Sequence, residues 1–325
     1  MRRRSPIGLS IFVAVLYGSV SYAFAESAEE RIASILLPLM SLSFLFLVPF
    51  VVGFLAVYWS NAENKGSWRH GLVTPLKPLL FLLLLAVVLG KEGGICIVLA
   101  LPVLLPSVCL GGLCATLILR RRQAVNTFPP LVVSMVIFLP YIAAPLENQL
   151  SVSSALRVVK TQIAINATPR TVWQNIERVP AIQPEEQGVS FVHMIGFPRP
   201  VEATLSHPGV GGIRHATFAG GVLFIETITH WEPEKELVFS IKADTASIPP
   251  TTLDPHVTIG GEYFDVLEGR YWIEPIKEQR VILHLESTHR VSTRFNFYSS
   301  WWTDFIMRDI QNNILKIIRT RCEAV

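Results

Sequence analysis

Residues 157–176 read RVVKTQIAINATPRTVWQNI and contain a strand followed directly by a helix. From Val159 to Ile165 every second residue is Val, Thr or Ile, which is the period of a half-buried strand. Thr168 and Pro169 then stand where a helix N-cap and a first helical residue are favoured. Three apolar residues follow at helical spacing: Val172, Trp173 and Ile176. The stretch therefore predicts the first strand and first helix of a folded C-terminal domain.

The rest of this domain is rich in predicted strands. Further alternating runs occupy residues 189–197, 201–205, 213–219, 222–231, 236–243, 267–273 and 281–289. Short links with turn residues at 208–209, 220–221, 232–234 and 277–279 favour antiparallel neighbours. In the last strand the side chains from Val281 to His289 are expected to alternate between a core face and a solvent face.

A long amphipathic helix is predicted over residues 299–321. Steps of 100° place six apolar residues on one side of it: Trp302, Phe305, Ile306, Ile310, Ile314 and Ile317. Four polar residues fall largely on the opposite, solvent side: Asp304, Arg308, Gln311 and Arg319. This helix is expected to close the domain by packing its apolar side on the sheet.

The N-terminal half has a different composition from the rest of the chain. Up to Leu146 it carries 11 Lys and Arg against 5 Asp and Glu, whereas the remainder carries 17 against 20. The whole chain is 50% hydrophobic, 16% charged and carries a net charge of +3. These values exclude a disordered protein, a disulfide scaffold and a nucleic-acid binder that works through overall basicity. We therefore predict two domains, a membrane module at residues 1–148 and a folded domain at 151–325.

Five apolar stretches in the first half are long enough to span a bilayer as helices. They cover residues 6–25, 32–59, 72–90, 93–119 and 125–146. Nine basic residues lie in the N-terminal segment and in the loops on the same side of the predicted spans, and two lie in the loops on the other side. Because cytoplasmic loops carry the excess of Lys and Arg, the N-terminus is expected in the cytoplasm. The expected location is a bacterial inner membrane with the C-terminal domain in the periplasm. Residues 2–25 also fit a signal peptide cleaved after Ala25, and either interpretation leaves the domain on the same side.

The order of these elements resembles the START-like, Bet v 1-like superfamily, including its polyketide cyclase and lipid-transport (SRPBCC) group. The resemblance covers residues 156–322 and is carried by the segments TPRTVW at 168–173, GVGGIRHATF at 209–218 and FIETITHWEPEKELVFSI at 224–241. It implies an α+β helix-grip fold, in which an antiparallel sheet wraps around the C-terminal helix and leaves an apolar cavity between the two. The membrane half has no counterpart in the usual members.

Candidate ligand contacts are assigned on the last helix and on the strands. On the helix, Trp302, Ile306 and Ile310 belong to the apolar side. Asp309 and Asn313 lie at its edge and are the first polar candidates, with bonding to a neighbouring strand or loop as the alternative. No cofactor is expected, and no metal-ligand spacing is present.

Strand parity and one long loop supply four further candidates. Parity assigns Tyr271 and His289 to the interior, and also Thr227 if Leu223, Ile225 and Trp231 mark the inner face of their strand. Residues 244–263 are rich in Pro, Thr and Gly and are interpreted as a flap or a solvated loop, with His256 nearest to a ligand.

Three functions fit the sequence. The leading hypothesis is a membrane-anchored protein that binds or transports a hydrophobic, lipid-like small molecule in its C-terminal domain. The membrane half is interpreted as an anchor, because no ionisable residue lies near the middle of a predicted span, where a membrane transporter usually has one. The second is a cyclase- or hydrolase-type enzyme that uses His256, His289 or Tyr271. The third is a non-catalytic interaction or regulatory module whose interior is filled by its own side chains. No nucleic-acid partner is expected.

Overall fold

The computed structural model describes residues 7–27, 33–60, 67–122, 130–244 and 259–324. The chain divides into two compact units. One consists of Met1–Glu92 with Cys96–Val152, and the other of Gly93–Ile95 with Ser153–Val325. Each unit has its own buried apolar clusters.

The N-terminal unit is helical throughout its described residues. Its helices are α1 (Ile7–Glu26), α2 (Ala33–Leu36), α3 (Val48–Tyr58), α4 (Trp68–Val73), α5 (Leu76–Val88), α6 (Gly94–Arg122) and α7 (Pro130–Glu147). A π-helical turn, Ser43–Leu47, leads directly into α3. Three helical segments are long and apolar enough to cross a membrane: Gly8–Glu26, Trp68–Val88 and Gly94–Arg121. The apolar helices Ser43–Tyr58 and Val132–Glu147 are shorter.

The second predicted stretch, residues 32–59, is not one continuous helix. The chain turns at Pro38, whose carbonyl oxygen accepts hydrogen bonds from the amide and the hydroxyl of Ser41. The same hydroxyl oxygen accepts a hydrogen bond from the amide of Phe44 and so caps the helix that follows. The break leaves a 16-residue helix, Ser43–Tyr58, in place of a 28-residue span.

Two glycines let α3 and α6 touch through their backbones. A Cβ atom on Gly53 would lie 1.9 Å from the carbonyl oxygen of Val108, and one on Gly111 would lie 1.8 Å from that of Phe50. Any larger residue at either position requires the two helices to separate. Small residues serve this purpose in packed membrane helices, where no hydrophobic effect drives helix association.

The C-terminal unit has an α+β helix-grip fold, as predicted. A seven-stranded antiparallel sheet is ordered β1-β7-β6-β5-β4-β3-β2 and curls around the last helix. The strands are β1 (Ala155–Ile165), β2 (Pro200–Leu205), β3 (Ile213–Phe218), β4 (Leu223–Glu232), β5 (Glu236–Ala243), β6 (Phe264–Lys277) and β7 (Arg280–Val291). Three helices complete the unit: α8 (Pro169–Glu177), α9 (Phe191–Met194) and α10 (Asn296–Glu323).

The first strand and helix form as the sequence predicts. In β1 the side chains of Val159 and Ile165 are buried, and those of Lys160 and Gln162 are exposed. Thr168 caps α8, because its hydroxyl oxygen accepts a hydrogen bond from the amide of Thr171. The predicted apolar face of α8 packs into the main core: Val172, Trp173 and Ile176.

The strand predicted at residues 189–197 is wrong. This segment forms the single helical turn α9, with the amide of Met194 donating to the carbonyl of Ser190. Asp309 on α10 fixes the start of the turn by accepting hydrogen bonds from the Ser190 hydroxyl at 2.5 Å and the Val192 amide at 3.0 Å. A contact with a residue more than a hundred positions away therefore overrides the local alternation.

Candidate ligand-binding cavity

A cavity of about 150 Å³ lies between the concave face of the sheet and α10. Its walls are mainly apolar and include Phe218, Phe224, Ile241, Phe264, Ile306, Ile310 and Ile314. A cavity of roughly 150 Å³ in another protein is large enough to bind benzene. The interior of this domain therefore has room for a small apolar molecule.

An arginine and a glutamate lie side by side in the cavity wall. Arg214 in β3 and Glu226 in β4 are direct partners in the strand register. Nη1 of Arg214 lies 3.1 Å from Oε2 of Glu226, and the two side chains are only 3% and 10% exposed. A buried ion pair is stable only if its geometry is good and its remaining polar atoms find partners.

This pair leaves three buried polar atoms without a hydrogen bond. Within the described part of the chain, Nε and Nη1 of Arg214 and Oε2 of Glu226 have no hydrogen-bond partner, so the 3.1 Å contact is an ion pair only. An unsatisfied buried polar group costs about 1–3 kcal/mol, and more if it is charged. Such groups in the wall of a cavity favour a polar guest.

An aromatic ring supports the guanidinium group. Cζ of Arg214 lies 4.9 Å from the centroid of the Phe239 ring, a cation–π arrangement. Phe239 pairs with Gly269 of β6 in the register, and a Cβ atom on Gly269 would lie 2.5 Å from the ring. Gly269 thus provides the space in which the ring lies beneath Arg214.

Burial alters the acid–base properties of two groups in the wall. It raises the pKa of the Glu226 carboxyl above its ordinary value, and the nearby Arg214 charge only partly opposes this. Burial also raises the pKa of Tyr271 to about 12, so its phenol is neutral at physiological pH. Both groups line the cavity, and burial raises the pKa of each.

Gln311 is a second polar residue of the wall, and its bonds are satisfied. Its Oε1 accepts a hydrogen bond from Thr161, and its Nε2 donates to the Val159 carbonyl and the Ser287 hydroxyl. The prediction that Gln311 lies on the solvent face of the last helix is wrong. Because α10 lies across β1 and β7, the sheet covers a wider face of the helix than its apolar stripe.

The structure brings three of the predicted contact residues to the cavity wall and places others elsewhere. Tyr271, Ile306 and Ile310 line the cavity. Trp302 is buried among the aromatic rings at the start of α10 and is not part of the wall. His256 lies outside the described residues.

Asp309 and Asn313 adopt the alternative arrangement considered for them. Asp309 holds α9, as described above. Nδ2 of Asn313 lies 3.4 Å from Nε2 of His193, whose Nδ1 donates to the carbonyl of Phe197. Both residues therefore anchor residues 190–197 to the last helix and do not line the cavity.

His289 faces inward but lies away from the cavity wall. The predicted alternation of β7 is confirmed, and His289 is fully buried. Its Nε2 lies 3.2 Å from the Thr303 hydroxyl and 3.4 Å from Oδ1 of Asp304, which also pairs with Arg157. It is thus a core histidine at the contact between β7 and α10.

The predicted parity of β4 is wrong at Thr227. Thr227 is exposed, whereas Phe224, Glu226 and Ile228 face inward. The register with β5 shifts between Ile228 and His230, so a β-bulge changes the phase of the strand. Of the three residues from which the parity was counted, Trp231 packs on the core but lies beyond the bulge, whereas Leu223 and Ile225 lie before it and share the outward phase of Thr227.

Sequence reasoning missed Arg214 and Glu226, because the parity counted from Leu223 and Ile225 assigns Glu226 to the outer face. Arg214 follows the predicted strand start at Ile213, and Glu226 lies between Ile225 and Thr227 in the next strand. A charged residue at an inward position of each of two paired strands is unusual, because lone buried charges are costly. Among the described residues no group of three His, Cys, Asp or Glu is placed to hold a metal ion.

Comparison with known proteins shows distant structural likeness. No protein-family model matches the chain, and no curated protein does. The chain is similar to the protein XoxI from Bacillus cereus, with 14% identity and a TM-score of 0.33 over 51% of this chain and 94% of that one. It is also similar to a norcoclaurine synthase point mutant from Thalictrum flavum, with 14% identity and a TM-score of 0.32 over 52% of this chain and 97% of that one. The similarity to DynU16, a putative protein from the dynemicin biosynthetic locus, has 15% identity and a TM-score of 0.24 over 47% of this chain and 46% of that one.

Proposed function

We propose that the C-terminal domain binds a small hydrophobic molecule in the cavity beneath α10. The observation that carries this proposal is the apolar cavity of about 150 Å³ with the buried Arg214–Glu226 pair in its wall. Ligand sites in proteins typically combine apolar walls with a few polar groups that orient the guest. The alternative of an interaction module expects a filled interior, and this interior is open.

The proposal includes a membrane anchor formed by the N-terminal helices. The described residues contain three helices of spanning length and two shorter apolar ones. The number of crossings is odd if the three long helices cross alone, and also if all five cross. An odd number of crossings would leave the domain on the side opposite the N-terminal arginines, which in a bacterium is the periplasm. The anchor would keep the domain beside a bilayer, the main cellular store of hydrophobic molecules.

Binding is tested with two six-carbon probes, hexanoate and hexan-1-ol. Full-length protein in lipid nanodiscs is titrated with each probe by calorimetry, with empty nanodiscs as the blank. We expect saturable binding of at least one probe. Ala216→Phe fills the cavity and should abolish it, whereas Ala164→Phe on the exposed face of β1 should not. Failure of both probes to bind folded wild-type protein would contradict the proposed function.

The membrane topology is tested separately with two reporters fused after the C-terminus. Alkaline phosphatase is active only outside the cytoplasm, and green fluorescent protein exported in unfolded form does not fluoresce there. We expect an active phosphatase fusion and a dark fluorescent-protein fusion. The opposite result would place the domain in the cytoplasm.

The enzyme alternative is less well supported by the site. Of its named residues in the described part of the chain, Tyr271 lines the cavity and His289 does not. With its pKa raised to about 12, the Tyr271 phenol is a hydrogen-bond donor and not a base at physiological pH. The geometry therefore favours binding over acid–base catalysis.

A further inference from the structure

The unsatisfied polar atoms of the cavity are concentrated at one place in its wall. Within the described residues, Nε of Arg214 has no acceptor, and Nη1 contacts Oε2 of Glu226 as an ion pair without a hydrogen bond. Arg214 is 3% exposed, so bulk water does not solvate its guanidinium group. By contrast Gln311, elsewhere in the same wall, has partners for both its oxygen and its nitrogen.

The missing partners define the head group of a guest. A guanidinium group presents N–H donors in a planar fork that matches the two oxygen atoms of a carboxylate. A hydroxyl group offers a single oxygen and matches the fork less well. A guest carboxyl group that keeps its proton can accept from Nε of Arg214 and donate to the Glu226 carboxylate, so that two adjacent carboxyl groups share one proton.

Charge balance is compatible with this head group, because the Arg214–Glu226 pair is neutral and an acid that enters with its proton leaves it neutral. Two carboxyl groups that share one proton carry a charge of −1, which the guanidinium group neutralises in the apolar interior. A neutral alcohol would leave the fork partly unpaired, and a cationic guest would meet Arg214 at close range. An acid is therefore the class that satisfies both the donors and the charge.

We propose that the cavity binds a small monocarboxylic acid, with its carboxyl group against the Arg214–Glu226 pair and its hydrocarbon part against the apolar wall. This inference rests on the proposed function and specifies the ligand class. The cavity of about 150 Å³ limits the hydrocarbon part to the size of a short chain or a single ring.

The test compares the two six-carbon probes, which share a chain and differ in the head group. We expect wild-type protein in nanodiscs to bind hexanoate at least tenfold more tightly than hexan-1-ol. The double variant Arg214→Met with Glu226→Gln removes both charges together, so neither is left unpaired. It should lose the preference for hexanoate and bind hexan-1-ol at least as well as wild type does.

Two further variants control for folding and for general charge effects. Arg270 and Glu236 form an ion pair on the outer face of the sheet, so Arg270→Met with Glu236→Gln removes the same charges away from the cavity. This pair of changes should leave the hexanoate preference unaltered. Glu226→Gln alone keeps Arg214 and places an amide donor beside the guest, so hexanoate should bind to it at least as tightly as to wild type.

The outcomes separate this inference from the function on which it rests. If hexan-1-ol binds as tightly as hexanoate, or if the Arg214 and Glu226 double variant keeps the preference, the acid assignment is wrong although the cavity still binds a hydrophobic guest. If neither probe binds folded wild-type protein, the proposed function itself fails. Equal loss of preference in the outer-face control would assign the effect to a general disturbance of the sheet and overturn the inference.

Discussion

The carboxylate of Glu147 receives two hydrogen bonds from Ser43, one from its amide and one from its hydroxyl, each 2.9 Å long. A third comes from the amide of Leu42 at 2.7 Å. The last residue of α7 thus neutralises the positive end of the helix that begins 104 residues earlier.

Replacing Glu147 by Ala should destabilise the N-terminal unit, because three donors lose their acceptor. We expect a loss of about 1–3 kcal/mol, seen as a lower melting temperature of the full chain in detergent. Glu147→Gln keeps one acceptor oxygen and should lose less. An Ala variant as stable as wild type would show that water satisfies these donors.

Close packing of α3 and α6 gives a second prediction. Gly111→Ala should lower the melting temperature, because its Cβ atom meets a backbone carbonyl at 1.8 Å and no side-chain movement can relieve the clash. Gly8→Ala is the matched control, since no atom lies within 4 Å of the added methyl group. Gly53 belongs to the same contact, so the effects of Gly53→Ala and Gly111→Ala together should be smaller than their sum.

The link between α9 and α10 gives a third prediction. Asp309→Ala removes the acceptor of the Ser190 hydroxyl and the Val192 amide, and we expect hydrogen exchange of that amide to accelerate. Asp309→Asn retains a side-chain oxygen and should preserve most of the protection. Unchanged exchange in the Ala variant would mean that the turn forms without this contact.

Gly269 controls the space below Arg214. In Gly269→Ala the new methyl group would meet the Phe239 ring at 2.5 Å and force it to move, with a cost of about 1–3 kcal/mol. We also expect weaker hexanoate binding, since the ring supports the guanidinium group. Phe239→Leu added to this variant should restore stability, and Gly188→Ala, where the nearest atom lies at 3.6 Å, should be tolerated.

Stability should fall in acid because of His289. Burial lowers the pKa of this histidine, an effect that the neighbouring Asp304 carboxylate opposes and the Arg157 charge reinforces. The unfolded chain therefore binds the proton more readily than the folded one, and the free energy of unfolding decreases as the pH falls below about 6.5. Chemical denaturation at several pH values measures this slope.

Variants identify the histidine responsible for the slope. His289→Gln should flatten the pH dependence below about pH 6.5. His193, whose pKa burial also lowers, should account for part of the remaining slope. His215→Gln, at an exposed position, should leave the dependence unchanged. An unaltered slope in His289→Gln would contradict the assignment.

The sequence predicts best the elements whose causes are local. The alternation of β1 and the cap at Thr168 involve residues within a few positions of one another, and both form as expected. The turn of α9 depends on Asp309, a distant residue, so its own sequence suggests a strand instead.

The candidate site illustrates the same limit. Counting by twos along β4 from Leu223, Ile225 and Trp231 assigns Thr227 to the interior, whereas Glu226 lies inside and Thr227 outside. Trp231 misleads the count because a bulge follows Ile228. Tyr271 lies in a strand segment where the count holds, and it reaches the cavity as expected. Pairing of Arg214 with Glu226 also requires the register of two strands, which no single strand reveals.

The position of α10 in the chain has a consequence for biosynthesis. The strand β1 pairs with β7, and the concave face that they help to form is covered by a helix of 28 residues that is made after both. Until that helix has left the ribosome, the apolar concave face of the sheet is exposed in the nascent domain. Chains in such a state aggregate or require chaperones. Folding of this half is therefore a late event in synthesis, timed by the arrival of its final helix.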